Sequence, residues 1–139
     1  MFLAPTLFLA LYYHENILFM SFDFRNLEVY KKAKEFHLEN IKLLEAIKPT
    51  NYEKDQLGRA SMSIVLNIAE GSGKFSKPDR RSFYVIARAS VFECVANLDL
   101  LNDKNKLSQN EFQSMLNLAD ELSRMLYKMI ANLSKPQSS

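Results

Sequence analysis

Arg59-Ala60-Ser61-Met62-Ser63-Ile64-Val65-Leu66-Asn67-Ile68-Ala69-Glu70-Gly71 is the stretch whose reading decides the fold. At roughly 100° per residue, Leu57, Ala60, Ser61, Ile64 and Ile68 form one apolar stripe of a helix. Met62, Val65, Leu66 and Ala69 form a second, about a third of a turn away. Arg59, Ser63, Asn67 and Glu70 follow at spacings of four, four and three and stack into a polar row. A helix with two apolar sides is buried twice, once in its own core and once against a partner, with the polar strip specifying the contact. The pattern names no reaction.

Composition agrees. The chain has 139 residues, 47% hydrophobic and 12% aromatic, which suits one domain with its own core. Glycine occurs only at 58, 71 and 73 and proline only at 5, 49, 78 and 136, so long segments run without breakers. That is an all-α composition. The formal charge of +2 is the difference between 18 basic and 16 acidic residues, so any binding to nucleic acid comes from local patches rather than a global field. One cysteine, Cys94, excludes an intramolecular disulfide and fits a reducing cytoplasm. Its apolar neighbours mark it as a small core residue rather than a nucleophile.

Met1 to Tyr13 is almost wholly apolar, without a basic leader, and carries Pro5. It makes a poor signal peptide and is short of the roughly 20 residues that cross a bilayer. We expect no membrane association. Residues 1–19 read as an extension ahead of a natural start at Met20, or alternatively as an added apolar helix packed on a partner. Residues 20–135 form the bundle and 136–139 a disordered tail.

Three punctuations of the form Ser or Thr, two residues, then an acid mark helix starts: Thr50 to Glu53, Ser76 to Asp79 and Ser108 to Glu111. The middle one is looser, since the strict capping box ends in Glu or Gln. Pro49 and the Gly71-Ser72-Gly73 run supply stops, with Gly71 expected to provide a left-handed helix end. Helices are thus predicted over 24–48, 51–70, 78–102 and 108–133. The first offers Val29, Ala33, Phe36, Leu43, Leu44 and Ile47 to a core. The last shows a heptad seam from Phe112 through Met115, Ala119, Leu122, Leu126 and Met129 to Leu133. The third has Phe83, Ala87, Ser90, Cys94, Leu98 and Leu101 on one stripe, with Val85, Ala89, Phe92 and Ala96 nearly opposite.

Short connections favour antiparallel neighbours, so the architecture expected is an antiparallel up-down-up-down four-helix bundle. One bundle has one core. The second stripes, Met62, Val65, Leu66 and Ala69 with Val85, Ala89, Phe92 and Ala96, are then left over as a homo-oligomer interface.

At Arg59-Ala60, Ser63-Ile64, Asn67-Ile68-Ala69-Glu70-Gly71, and further on Phe83, Ile86-Ala87, Ser90 and Glu93, the chain resembles the four-helix-bundle family of proteins encoded in intervening sequences of bacterial 23S ribosomal RNA genes. The likeness runs from about Phe24 to Leu133 and includes the opening Phe24-Arg25-Asn26-Leu27-Glu28-Val29-Tyr30. The same fold family includes the accessory variability determinants of diversity-generating retroelements. The resemblance implies a ring-like homopentamer and no established enzymatic activity. In the retroelement branch it implies binding to nucleic acid and to a reverse transcriptase. It marks Arg59, Asn67, Glu70, Gly71, Ser90 and Glu93 without assigning them chemical roles. Gly58 stands where that family often has a second basic residue, which removes a positive charge, and Ala89 where a glycine often precedes Ser90.

For the polar row we expect ion pairs and hydrogen bonds at a helix junction rather than a ligand site. Glu70, at the closing end of its helix, needs a cation or donor, with Arg59 of a neighbour or Ser90 across the bundle as candidates. The segment from Gly73 to Arg81 carries Lys74, Lys77, Arg80 and Arg81 against Asp79, with Phe75 among them. It is the best phosphate-facing patch, and Phe75 is placed to stack on a base. A solvated loop is the competing reading. Gly71-Ser72-Gly73-Lys74 lacks the spacing of a P-loop. His14 and His37 have no partners at metal-binding spacing, so neither a metal nor a cofactor is expected, nor an enzyme. The two functional readings are an oligomeric module that binds RNA or DNA and a ring that presents surfaces to another protein.

Overall fold

The computed structural model describes residues 22–136; the proposed extension at 1–19, the start at Met20 and the tail at 137–139 lie outside them. A short 3-10 helix, Asp23–Asn26, leads into α1 (Glu28–Ala46), α2 (Asn51–Ser72), α3 (Lys77–Asp103) and α4 (Gln109–Leu133). The fold is an all-α four-helix bundle, with no strand among the described residues.

Each of the last three helices begins at the Ser or Thr expected of it. Thr50 and Glu53 exchange both bonds of a capping box, as do Ser108 and Glu111. At α3 the bond runs one way only: the Asp79 amide donates to Ser76 Oγ at 3.2 Å. Aspartate is one methylene shorter than glutamate, and here it returns no bond to the Ser76 amide. Each cap satisfies an amide that a helix start leaves open, a contribution of about 1 kcal/mol. α1 starts at Glu28 rather than at 24, because Leu27 is extended at φ −65° and ψ 130° and splits the opening turn off as the 3-10 helix.

Helices adjacent in sequence pack together and α1 closes against α4, while the diagonal pairs α1 with α3 and α2 with α4 make no close backbone approach. The packing is antiparallel: Ser72 meets Tyr84 whereas Ser63 meets Ser90, and Arg81 meets Ser134 whereas Arg88 meets Tyr127. The core lies along the central axis, where Phe36, Leu57, Ile64, Ile68, Leu98 and Leu122 are fully buried. Truncating one of these to alanine costs about 2–5 kcal/mol. Cys94 is fully enclosed, and burial pushes its thiol up to about 12, which suits a packing role. Asn40 is also enclosed; its Nδ2 donates to Phe36 O at 2.8 Å.

Two expectations need correction. The opening of the α3 core stripe is rotated: Tyr84, not Phe83, is buried, and Val91 joins it. The second concerns Gly71, which does not end α2 in a left-handed turn. The helix continues through Ser72, no described glycine has positive φ, and Gly71 is buried. A Cβ built there would lie 2.8 Å from Phe83 Cβ and 2.8 Å from Tyr84 Cε1. Gly71 is needed for close approach of α2 to α3 rather than for its dihedral freedom.

Candidate nucleic-acid interface

The loop between α2 and α3 is pinned on both sides. Ser72 Oγ donates to Ile68 O at 2.7 Å and hydrogen-bonds Tyr84 Oη at 2.9 Å, fixing the last turn of α2 to the first turns of α3. Arg80 Nε donates to Lys74 O at 2.6 Å, folding the loop back over α3. Lys74 Nζ lies 5.1 Å from the centre of the Phe83 ring, a cation-π distance. Arg81 reaches the other way, its Nε donating to Ser134 Oγ at 2.7 Å at the end of α4. Lys77 is exposed, and Phe75 between the two lysines is wholly exposed. The four cations therefore share one end of the bundle, spread from the loop to α4 rather than gathered at one point. The α3 amino terminus adds its positive dipole end.

The polar row divides. Asn67 Nδ2 donates to Ser63 O at 2.8 Å and to Ser63 Oγ at 3.1 Å, and Ser63 Oγ lies 3.0 Å from Ser90 Oγ. Ser90 Oγ in turn donates to Ile86 O at 3.1 Å. The Ser90 proton is thus committed, and Ser63 supplies the one between them. This chain of bonds laces α2 to α3. Arg59, Glu70 and Glu93 stand outside it. Arg59 pairs within its own helix with Asp55 at 3.5 Å, both side chains largely exposed. Glu70 is exposed and meets neither Arg59 nor Ser90 of its own chain. Eleven residues of helix, about 16 Å, separate Arg59 from Glu70.

Of the residues expected at a partner, Met62, Leu66, Val85, Ala89, Phe92 and Ala96 are exposed in the single chain, with Phe92 at 56%. Val65 and Ala69 are half-buried, and Val65 packs against the core of its own chain. Sequence reading missed Ile86 and Leu100, exposed at 48% and 58% on the same outward side of α3. At the 3.6-residue period, Ile86, Ala89, Phe92, Ala96 and Leu100 share an arc of roughly 120° in which Glu93 is the one charge. Arg88 borders this surface, its guanidinium 4.8 Å from the Phe92 ring centre and 5.7 Å from that of Tyr127.

The sequence matches the 23S rRNA-intervening sequence protein family over residues 25–128, which takes in all of α1, α2 and α3 and most of α4. The chain belongs to that family. Among solved structures it is similar to a protein of unknown function from the S23 ribosomal protein family of Bacteroides thetaiotaomicron VPI-5482. The two share 25% identity with a TM-score of 0.69, over 73% of this chain and 97% of the other. No curated protein matches it.

Two polar clusters of this intervening-sequence protein escaped sequence reading. Glu53, the capping-box acid of α2, is 9% exposed and accepts from Lys104 Nζ at 2.7 Å, Lys106 Nζ at 2.6 Å and the Thr50 amide at 2.8 Å. The hydrogen bonds from Lys104, then Lys106, then Thr50 hold its carboxyl down at about 2. Both lysines come from the α3–α4 loop, turned by Asn105 in the left-handed region at φ 56°. Local spacing finds the cap but not these partners. The second cluster is His37, whose Nδ1 lies 2.7 Å from the buried Ser61 Oγ, which donates to Gly58 O at 3.1 Å. His37 is half-buried on α1, and burial lowers its pKa below 6.5. Among the described residues no group of His, Cys, Asp and Glu is placed to hold a metal ion, and no helix is long and apolar enough to cross a membrane.

Proposed function

We propose that this intervening-sequence protein is a non-enzymatic, cytoplasmic homo-oligomer, a pentamer by family resemblance, that binds RNA or DNA through its basic end. Phe75 carries the reading: a wholly exposed aromatic ring, flanked by Lys74 and Lys77, on a loop pinned at both ends. A ring so placed serves stacking on a base, while the cations beside it hold phosphates. Assembly through the apolar outer side of α3 would repeat the patch, so that a weak contact per subunit gains avidity.

The test is retention of RNA and DNA in gels at low salt by wild type and by a variant with Lys74, Lys77, Arg80 and Arg81 all changed to Ala. Wild type should retard nucleic acid and the variant should not. Equal retention by both would move the site elsewhere. The exposed Ile86, Phe92 and Leu100 also suit a second reading, protein–protein interaction without nucleic-acid binding, in which the outer side of α3 takes up another polypeptide such as a reverse transcriptase in place of a second copy. Pull-down from the host, with sequencing of nucleic acid and mass spectrometry of protein, separates the two.

A further inference from the structure

Beside the basic loop, an open cleft of about 370 Å3 is formed where the 3-10 helix crosses the ends of α2, α3 and α4. Its apolar walls come from Phe24, Leu27, Met129 and Leu133, and its polar lining from Arg80, Asn132, the Asp23 carboxylate, and Ser72 and Tyr84, whose hydroxyls bond each other. The volume falls within the roughly 300–1,000 Å3 typical of small-ligand sites. Leu27 and Asn132 are exposed at the rim, while Phe24, Met129 and Leu133 are half-buried. Arg80 belongs to loop and cleft at once: the Lys74 carbonyl holds its Nε at 2.6 Å, and among the described residues no side chain or carbonyl pairs with its Nη groups. The Asn132 amide likewise has no hydrogen-bond partner among the described residues.

We infer that this cleft receives one unpaired nucleobase, so that the nucleic acid bound at the basic end is single-stranded. The inference rests on the nucleic-acid reading above and narrows it. Apolar walls reward a flat ring that leaves water, and an uncommitted carboxamide offers both donors and an acceptor to a base edge. The Arg80 guanidinium, on the same end of the bundle as Lys74 and Lys77, meets the phosphate of the same nucleotide. In a duplex the faces of each base are stacked and its pairing edge is used, so only an unpaired base has these surfaces to give.

Fluorescence anisotropy of a labelled 12-mer RNA and the same-length DNA, each as single strand and as duplex, decides it at low salt. Two cleft-filling variants, Asn132→Trp and Leu27→Trp, both at exposed positions, are compared after circular dichroism confirms folding. Wild type should bind single strands at least tenfold more tightly than duplex, and each folded variant should lose roughly 5- to 100-fold on single strands, the range of one stacked base. Duplex affinity should not change. Equal or tighter binding of duplex, or wild-type affinity for single strands in both variants, overturns the cleft inference while leaving the basic-end proposal standing. Absence of binding to every probe overturns both.

Discussion

Lys106 Nζ sits 2.6 Å from Glu53 Oε2, so that a residue 53 positions away closes the first turn of α2. With Lys104 on the other carboxylate oxygen at 2.7 Å, the loop before α4 is clamped to the start of α2. One carboxylate thereby caps a helix, binds two lysines and fixes the end of the bundle opposite the basic loop.

Acid should release this clamp. The carboxyl of Glu53 titrates near 4.5 when unperturbed and is held at about 2 in the fold, so the unfolded chain takes up the proton first. Its stabilising contribution is complete above pH 4.5 and is lost as pH falls from there toward 2. Thermal melts of Glu53→Gln should be lower than wild type at pH 7, with the difference shrinking toward pH 2. A pH-independent difference would show that the clamp does not depend on charge.

Gly58 and Gly71 should respond to alanine in opposite directions. A Cβ at Gly58 meets nothing within 4 Å, so Gly58→Ala should stabilise by the helix propensity gain of about 0.5–1 kcal/mol. At Gly71 the same atom strikes Phe83 Cβ, close to the α3 backbone, at 2.8 Å. There overpacking of about 1–3 kcal/mol outweighs the propensity gain. Denaturant melts of both variants check the signs.

His37 and Ser61 should be energetically coupled. Ser61→Ala leaves a half-buried imidazole nitrogen without its 2.7 Å partner, a loss of about 1–2 kcal/mol. A double-mutant cycle with His37→Phe should return a coupling of about 0.5–1.5 kcal/mol. Titration of the His37 ring by NMR should place its pKa below 6.5, because burial penalises the charged form. A coupling of zero would mean that the pair is adventitious.

The outer side of α3 should govern assembly. Ile86→Lys combined with Phe92→Glu places charges on two exposed apolar positions and, on the proposed assembly, should leave the chain a monomer without loss of helicity. Light scattering and circular dichroism read the two outcomes. A wild-type chain that is monomeric at tens of micromolar would remove the basis for the oligomer.

The four helices, their three Ser or Thr caps and most core positions were legible in the sequence, because each depends on residues within about two turns of one another. Thr50 with Glu53 and Ser108 with Glu111 are local bonds that spacing reveals. Leu57, Ile64 and Ile68 share a face by helical period alone. The motif residues were harder. Ser63, Asn67 and Ser90 were singled out, but Arg59 and Glu70 were grouped with them although they lie outside that bond chain, because a periodic row says which residues share a side and not what lies opposite. Phe75, Lys74 and Lys77 were legible as a patch, whereas the cleft beside them was not, since its walls come from four separate elements.

The sequence by itself determined that this chain is a bundle of four helices, three of them capped by Ser or Thr, with more apolar surface than one core can hold, for periodicity and capping are properties of neighbouring residues. Tertiary structure alone decided that Gly71 admits Phe83 and Tyr84, that Glu53 answers to two lysines, and that Arg80 joins the basic loop to a cleft. Each of these depends on the distance between segments remote in the chain, and that distance is set by how the helices pack rather than by the order of their residues.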